Sequence, residues 1–329
     1  MAATPNQVPS QNSDFQQAFA IVSGLLEEVK KVVVGKDYEI SMLITALLSG
    51  THVLIEDVPG TGKTTLASTL AKAAGMRFNR VQFTPDVMAS DLTGFNLYNR
   101  EKEQFVFKQG AVMCNMLLAD EINRASPKTQ SSLLEAMEEK SVTVDGVTYE
   151  IPKPFFVIAT QNPTGSVGTY PLPEAQIDRF GMKLSMGYPG PQEEVAIIAR
   201  RLAGNPIKVV APVCNAETIH HISQLITKVR VEESILQYIV ALIAATRQHP
   251  AIALGASPRA TVALMHISRA YAFMHHRAYV IPEDISELFP QTICHRLQLT
   301  QEARMSRIEP MTVVREVLAS VRPPVRSKR

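Results

Sequence analysis

The sequence predicts an α/β fold, a parallel sheet flanked by helices, followed by an all-helical second domain. Three observations carry this. Up to about residue 190, short apolar runs alternate with amphipathic stretches, the pattern of buried parallel strands joined by crossover helices. From Pro191 onward strand-like runs mostly disappear and long segments of helical periodicity take over. The chain has 329 residues, and at roughly 150 residues per domain that length favours about two domains.

The elements follow in order. Met1 to Asp14 is Pro, Gln, Asn, Ser and Thr with no basic start and no apolar stretch, so a disordered extension is expected rather than a secretory signal. From Phe15 to Val33, the residues Phe19, Val22, Leu25, Leu26 and Val29 recur at helical spacing, and Gly35 stops the pattern. Glu39 to Leu48 reads as a second helix. His52 to Ile55 is a short apolar strand, followed by a Gly/Pro loop and a helix from Lys63 to Ala74. Phe78 to Phe83, Met116 to Ala119 and Phe155 to Thr160 read as further strands.

Two stretches interrupt this alternation. Leu92 to Val112 carries Thr93-Gly94 and the alternating Phe105-Val-Phe107, which predicts an inserted β-hairpin. Ser141 to Ile151 places Asp145-Gly146 between alternating runs, a strong two-residue hairpin signal. Both hairpins are expected to project from the core as working surfaces. The first domain thus spans residues 15–190. The second, residues 191–329, is expected to be built from Glu193 to Leu202, Ala216 to Thr227, Glu232 to Gln248, Ala260 to His276 and Val313 to Ser320.

Composition narrows the function. Hydrophobic residues make up 46% and charged residues 19%, ordinary values for a folded soluble protein. Lys and Arg total 33 against 31 Asp and Glu, which argues against a partner held by bulk charge such as nucleic acid. The charge is uneven, however. Residues 1–186 hold 16 basic and 20 acidic groups, net −4, while residues 187–329 hold 17 and 11, net +6. Two units with different surfaces are implied. No run of 18 apolar residues occurs, so no membrane insertion is expected, and a cytoplasmic location follows. Cys114, Cys214 and Cys294 have no short spacing, which excludes a disulfide framework and a zinc ribbon.

The strand at His52 to Ile55 and the helix at Lys63 enclose Val58-Pro59-Gly60-Thr61-Gly62-Lys63-Thr64-Thr65. This is where a phosphate-binding loop must sit. Glycines let backbone N–H groups face a phosphate, the helix N-terminus adds its dipole, and Lys63 supplies a point charge. The Thr64 hydroxyl would bind Mg²⁺. The pattern G-x-x-x-x-G-K-[ST] is met except at its first glycine, where this chain has Asp57. A carboxylate there would be unfavourable beside a triphosphate unless turned outward. Downstream, Met116-Leu-Leu-Ala-Asp120-Glu121 is an apolar strand ending in two acids. In that setting Asp120 would hold Mg²⁺ and Glu121 would act as general base toward the attacking water.

With both elements in place the chain resembles the AAA+ ATPases, and within them the MoxR family. The resemblance is carried by Glu56-Asp-Val-Pro-Gly-Thr-Gly-Lys-Thr64, Ala119-Asp-Glu-Ile-Asn-Arg-Ala125, Leu133-Leu-Glu-Ala-Met-Glu138, Ala159-Thr-Gln-Asn-Pro163, Thr169 to Phe180 and Gly255-Ala-Ser-Pro-Arg-Ala260. It implies a P-loop NTPase core with a helical lid, the two hairpins corresponding to the helix-2 and pre-sensor-1 inserts. It also implies that Asn162 is sensor 1, orienting water or touching the γ-phosphate, that Arg179 is an arginine finger reaching a neighbour's ATP, and that Arg259 is sensor 2.

A local argument agrees for Arg259. Ser257 fits an N-cap and Pro258 the first helical position, so Arg259 falls in the first turn, where a cation opposes the dipole and calls for an anionic partner. Whether it serves its own subunit or a neighbour stays open on sequence. The activity implied is Mg²⁺-dependent ATP hydrolysis by a homo-oligomeric ring, with six subunits expected, acting on protein clients that include von Willebrand factor A domains. The alternatives are a nucleotide-dependent switch with little turnover and a nucleic-acid-stimulated motor.

Overall fold

The structure is a computed structural model and describes residues 8–162 and 169–324. Helices α1 (Val8–Lys30) and α2 (Asp37–Ser49) precede strand β1 (Val53–Glu56) and helix α3 (Lys63–Ala73). Then come β2 (Phe78–Gln82), the short α4 (Ala89–Thr93), the hairpin strands β3 (Gly94–Asn99) and β4 (Gln104–Gln109), and β5 (Met116–Asp120). Helix α5 (Pro127–Glu139), the second hairpin β6 (Ser141–Val144) and β7 (Val147–Glu150), β8 (Phe156–Gln161), α6 (Glu174–Ile177) and β9 (Met182–Leu184) complete this part.

Five strands form one parallel sheet in the order β2-β5-β8-β1-β9. Its central strands are buried on both faces, as the continuous apolar runs require. Their alternation divides them between two cores. Val53, Ile55, Met116, Leu118, Phe156 and Ile158 face one, together with α1, α2 and α3. Leu54, Leu117, Ala119, Val157 and Ala159 face the other, against Leu133 and Leu134 of α5.

The rest of the chain is α7 (Pro191–Leu202), α8 (Ala216–Ile226), α9 (Glu233–Gln248), β10 (Ile252–Leu254), α10 (Pro258–Met274), α11 (Pro282–Ile293), β11 (Gln298–Leu299), α12 (Gln301–Met305) and α13 (Pro310–Ser320). The N-cap expected from sequence forms here: the Ser257 hydroxyl accepts from the Ala260 N–H at 3.4 Å.

Three expectations are corrected. The first helix begins at Val8 rather than Phe15, so part of the expected disordered extension is helical, and residues 1–7 lie outside the described residues. The second unit is helical but carries a small antiparallel ladder, with Ile252 opposite Leu299. Helix α11 was not anticipated, because Pro290 breaks its sequence pattern although the helix passes through it. The two units also share a core. Leu43 and Leu47 of α2 join Ile267 and Phe273 of α10 in one buried cluster, and Phe273 packs on Phe15 and Phe19 of α1 at ring distances of 5.7 and 4.5 Å.

Candidate functional site

The loop between β1 and α3 sits at the carboxyl end of the sheet. Gly60 and Gly62 have φ of +87° and +89°, and nothing lies within 4 Å of where a Cβ would be. Glycine is therefore needed there for conformation, not for room. The loop opens on a cleft of about 400 Å³ lined by Pro59, Gly60, Thr61, Gly62, Lys63, Thr64 and Thr65 on one side and by Arg80, Gln82, Asp120, Glu121 and Asn162 on the other. Lys63 is buried, and its Nζ donates to the carbonyls of Val58 at 2.7 Å and Asp57 at 3.3 Å. The Asp57 carboxylate points away from the cleft. Its Oδ1 accepts from the Val58 N–H at 2.8 Å, and its Oδ2 from the N–H groups of Met186 and Gly187 at 2.8 and 2.7 Å. The departure from the glycine pattern thus turns no negative charge toward the cleft.

Asp120 ends β5 and Glu121 follows it with φ +58°, a left-handed conformation that costs a non-glycine residue on the order of 1–3 kcal/mol. Thr160 on the adjacent strand β8 supports both acids. Its hydroxyl donates to Asp120 Oδ1 at 2.6 Å and accepts from the Glu121 N–H at 2.9 Å. Arg80 on the other neighbouring strand, β2, pairs with Asp120 Oδ2 at 2.8 Å. The Glu121 carboxylate is held at both oxygens, Oε1 by the Asn162 amide at 3.1 Å and Oε2 by Arg124 at 3.2 Å. A threonine hydroxyl and a carboxylate sharing one cleft are hard oxygen donors, a set that suits Mg²⁺.

Sequence reasoning missed Thr160 and Arg80. Strand adjacency was the signal for both: Ala119 lies opposite Ala159, and Gln82 opposite Asp120.

Arg179 and Arg259 lie elsewhere, together. Arg179 reaches Glu138 Oε2 at 3.3 Å and Arg259 reaches Oε1 of the same carboxylate at 2.5 Å. Glu138 is the anionic partner that the helix-start argument required for Arg259. The cluster is at the amino end of the sheet: the Gly181 N–H, just before β9, donates at 2.8 Å to the carbonyl of His52, just before β1. The whole length of β1, about 13 Å at ~3.3 Å per residue, separates it from the phosphate loop of the same molecule.

The backbone carrying Arg179 is fixed by the helical unit. Asp178 accepts from the Ser257 hydroxyl at 2.9 Å and pairs with Arg296 at 3.3 Å. Arg296 also donates to the carbonyls of Asp178 and Phe180 at 3.1 and 2.7 Å, and burial pulls its guanidinium pKa down to about 10.

The hairpins meet each other. Phe107 of β4 stacks on Tyr149 of β7 at 3.8 Å with the rings 10° apart, and the Asn96 amide donates to Asp145 at 2.8 Å. Phe105 is left 70% exposed and Tyr98 50%, so the joined hairpins present apolar surface.

Residues 52–182 match the family described as "ATPase family associated with various cellular activities (AAA)", and residues 244–317 match the AAA lid domain. Among curated proteins, the chain is 49% identical over 300 residues to the uncharacterized protein YeaC of Bacillus subtilis, covering 91% of this chain and 94% of that one. It is 40% identical over 303 residues to Chaperone MoxR1 of Mycobacterium tuberculosis, covering 89% and 80%. Among solved structures, it matches a Cytophaga hutchinsonii protein with a TM-score of 0.90 at 39% identity, covering 96% of this chain and 98% of that one. Among the described residues no helix is long and apolar enough to cross a membrane.

Proposed function

This chain belongs to the MoxR family of AAA+ ATPases, and on that premise we propose that it hydrolyses ATP as one subunit of a homo-oligomeric ring, expected to be a hexamer, that remodels or matures partner proteins. Lys63 and the backbone N–H groups of residues 60–65 bind the phosphates. Thr64 and Asp120 would hold Mg²⁺, which when bound neutralises charge on the phosphate oxygens. Glu121 takes the proton of the attacking water. Asn162 donates to Glu121, which supports a role in aiming the base beside the one toward the water or the γ-phosphate that the family resemblance implies.

The observation that carries the ring is the place of Arg179 and Arg259. Both sit at the amino edge of the sheet on Glu138, while the phosphate loop sits at the carboxyl edge. Neither lines its own cleft, so their charge is available to another subunit's ATP. An arginine supplied in trans contributes about 10³ to 10⁵ in rate. The apolar hairpin surface, with Phe105 and Tyr98, supports contact with protein clients, of which von Willebrand factor A domains are the class the family resemblance implies.

The experiment is to dope wild-type protein with Arg179→Ala subunits. Activity should fall out of proportion to their fraction. Linear dependence on the wild-type fraction, with no assembly in ATP, would remove the ring.

A further inference from the structure

The chain passes from the sheet to the helical unit once, through residues 185–190, and two charged side chains grip that passage. Asp57 Oδ2 accepts from the N–H groups of Met186 and Gly187 at 2.8 and 2.7 Å. Lys36 Nζ donates to the carbonyl of Met186 and, at 3.4 Å, to that of Tyr188. Carboxylate and ammonium thus take opposite polarities of one short backbone segment. Both side chains are buried, Asp57 at 6% and Lys36 at 9% relative exposure. Gly187 within the grip has φ +60° and open space around its Cβ position, so it serves as a backbone bend.

Burying two ionised groups carries a desolvation cost of several kcal/mol each unless they are well bonded, and a plain turn needs neither. What distinguishes these two groups is where they come from. Asp57 immediately precedes the phosphate loop of residues 58–65, at the position of the pattern's first glycine, and its own carbonyl accepts from Lys63 Nζ at 3.3 Å. Glycine, the residue the loop pattern specifies here, would have no side chain with which to make the tether. Lys36 belongs to the turn between α1 and α2, and α7 is seated on that same turn. Arg200 of α7 donates to the carbonyls of Lys30 and Lys31 at 3.0 and 2.7 Å. The Glu193 carboxylate packs against Gly35, where any Cβ would collide with it, and caps α7 by accepting from the Gly190 N–H at 2.7 Å. The phosphate loop, the junction and the first helix of the helical unit are therefore one mechanically linked chain of contacts.

We propose that Asp57 is a positioning residue that, with Lys36, couples the phosphate loop to the junction at residues 186–188, so that nucleotide binding in the loop resets the seat of α7. This rests on the reading of residues 58–65 as the nucleotide loop. It accounts for the one departure of that loop from its pattern: the side chain is absent from the phosphate position because it is committed to the junction.

The test is hydrogen exchange on the full chain with ADP, with a non-hydrolysable ATP analogue plus Mg²⁺, and with neither. Wild-type protein, Asp57→Asn, Asp57→Gly and Lys36→Met are compared, and binding of a fluorescent nucleotide is measured alongside. In wild type the amides of 186 and 187 are protected, and exchange across 191–202 changes on nucleotide binding. In the Asp57 variants, residues 185–190 exchange at least ten-fold faster in every state. Nucleotide still binds, and the change across 191–202 is lost. Lys36→Met gives the same loss and decides the matter if the Asp57 variants do not fold. Variants that bind nucleotide and keep the wild-type change across 191–202 overturn the coupling, as does a wild type that binds nucleotide without that change. Failure of wild type to bind any nucleotide would instead sink the reading of the loop, and nucleotide-free exchange at 185–190 would still judge the tether by itself.

Discussion

The side-chain amide of Asn162 donates to the Glu121 carboxylate at 3.1 Å. A base aimed by a neighbour loses rate without losing substrate when the neighbour is removed. Asn162→Ala should therefore lower kcat while changing nucleotide affinity by no more than a few fold. Glu121→Gln, which removes the proposed base, should lower kcat by about 10²–10⁴ with nucleotide retained. Steady-state turnover and fluorescent-nucleotide binding separate the two effects, and a large loss of affinity in Asn162→Ala would reassign the residue to the phosphates.

Lys63 is expected to behave in the opposite way. Its ammonium is fixed on the carbonyls of Val58 and Asp57 at the start of α3, in place to meet a phosphate. Lys63→Ala should abolish measurable nucleotide binding while leaving the thermal midpoint of the nucleotide-free protein within a few degrees. Titration calorimetry and a melting curve check both halves.

Glu138 holds Arg179 and Arg259 at once, yet all three are partly exposed. Pairs of this kind contribute under about 1 kcal/mol to stability. Glu138→Gln should thus melt close to wild type. Its ATPase activity should nevertheless change, because two arginines proposed to serve a neighbouring site lose their common anchor. Unchanged turnover in Glu138→Gln, with Arg179→Ala inactive, would show that the anchor is dispensable.

Two buried histidines set a pH dependence. His52 Nδ1 accepts from the Val157 N–H at 3.1 Å, and Nε2 contacts the Met137 carbonyl at 3.2 Å. His295 lies against the Phe180 carbonyl at 3.0 Å. Burial pulls their pKa values down from 6.5, to about 4 and about 3. The unfolded chain then binds more protons than the folded one below pH ~6.5, so stability falls as pH drops from there toward 4. For His52 the loss is on the order of 3 kcal/mol. Denaturant unfolding between pH 7.5 and 4.5 should show net proton uptake, with His52 and His295 together contributing up to about two protons. His52→Gln should be less stable at pH 7.5 yet show a shallower slope, and an unchanged slope would remove His52 from the account.

The parts legible in sequence were those written locally. Strand, glycine turn and helix start are contiguous from His52 to Ala74, so the glycine loop between β1 and α3 could be placed without knowing its neighbours. Asp145-Gly146 and the alternation around Phe107 likewise located both hairpins, but their mutual contact through Phe107 and Tyr149 was invisible, since no spacing encodes it. Thr160 beneath Asp120 and Glu121, and Glu138 beneath two distant arginines, depend on which strands and helices become neighbours. Helix α11 was hidden by Pro290, and β10 and β11, of three and two residues, are too short to leave a period. The start of the first helix is hidden in sequence because its opening turns are polar.

The sheet gives each molecule a direction. Its carboxyl edge carries the cleft with Lys63 and Asp120, and its amino edge carries Arg179 and Arg259. Under the proposed division of labour, every molecule is an acceptor at one edge and a donor at the other, a heterologous contact that joins head to tail. An open row of n molecules then completes only n − 1 sites, and its last cleft stays idle. Closing the row completes that final site with no new kind of contact, so catalysis itself would report whether the circle is shut.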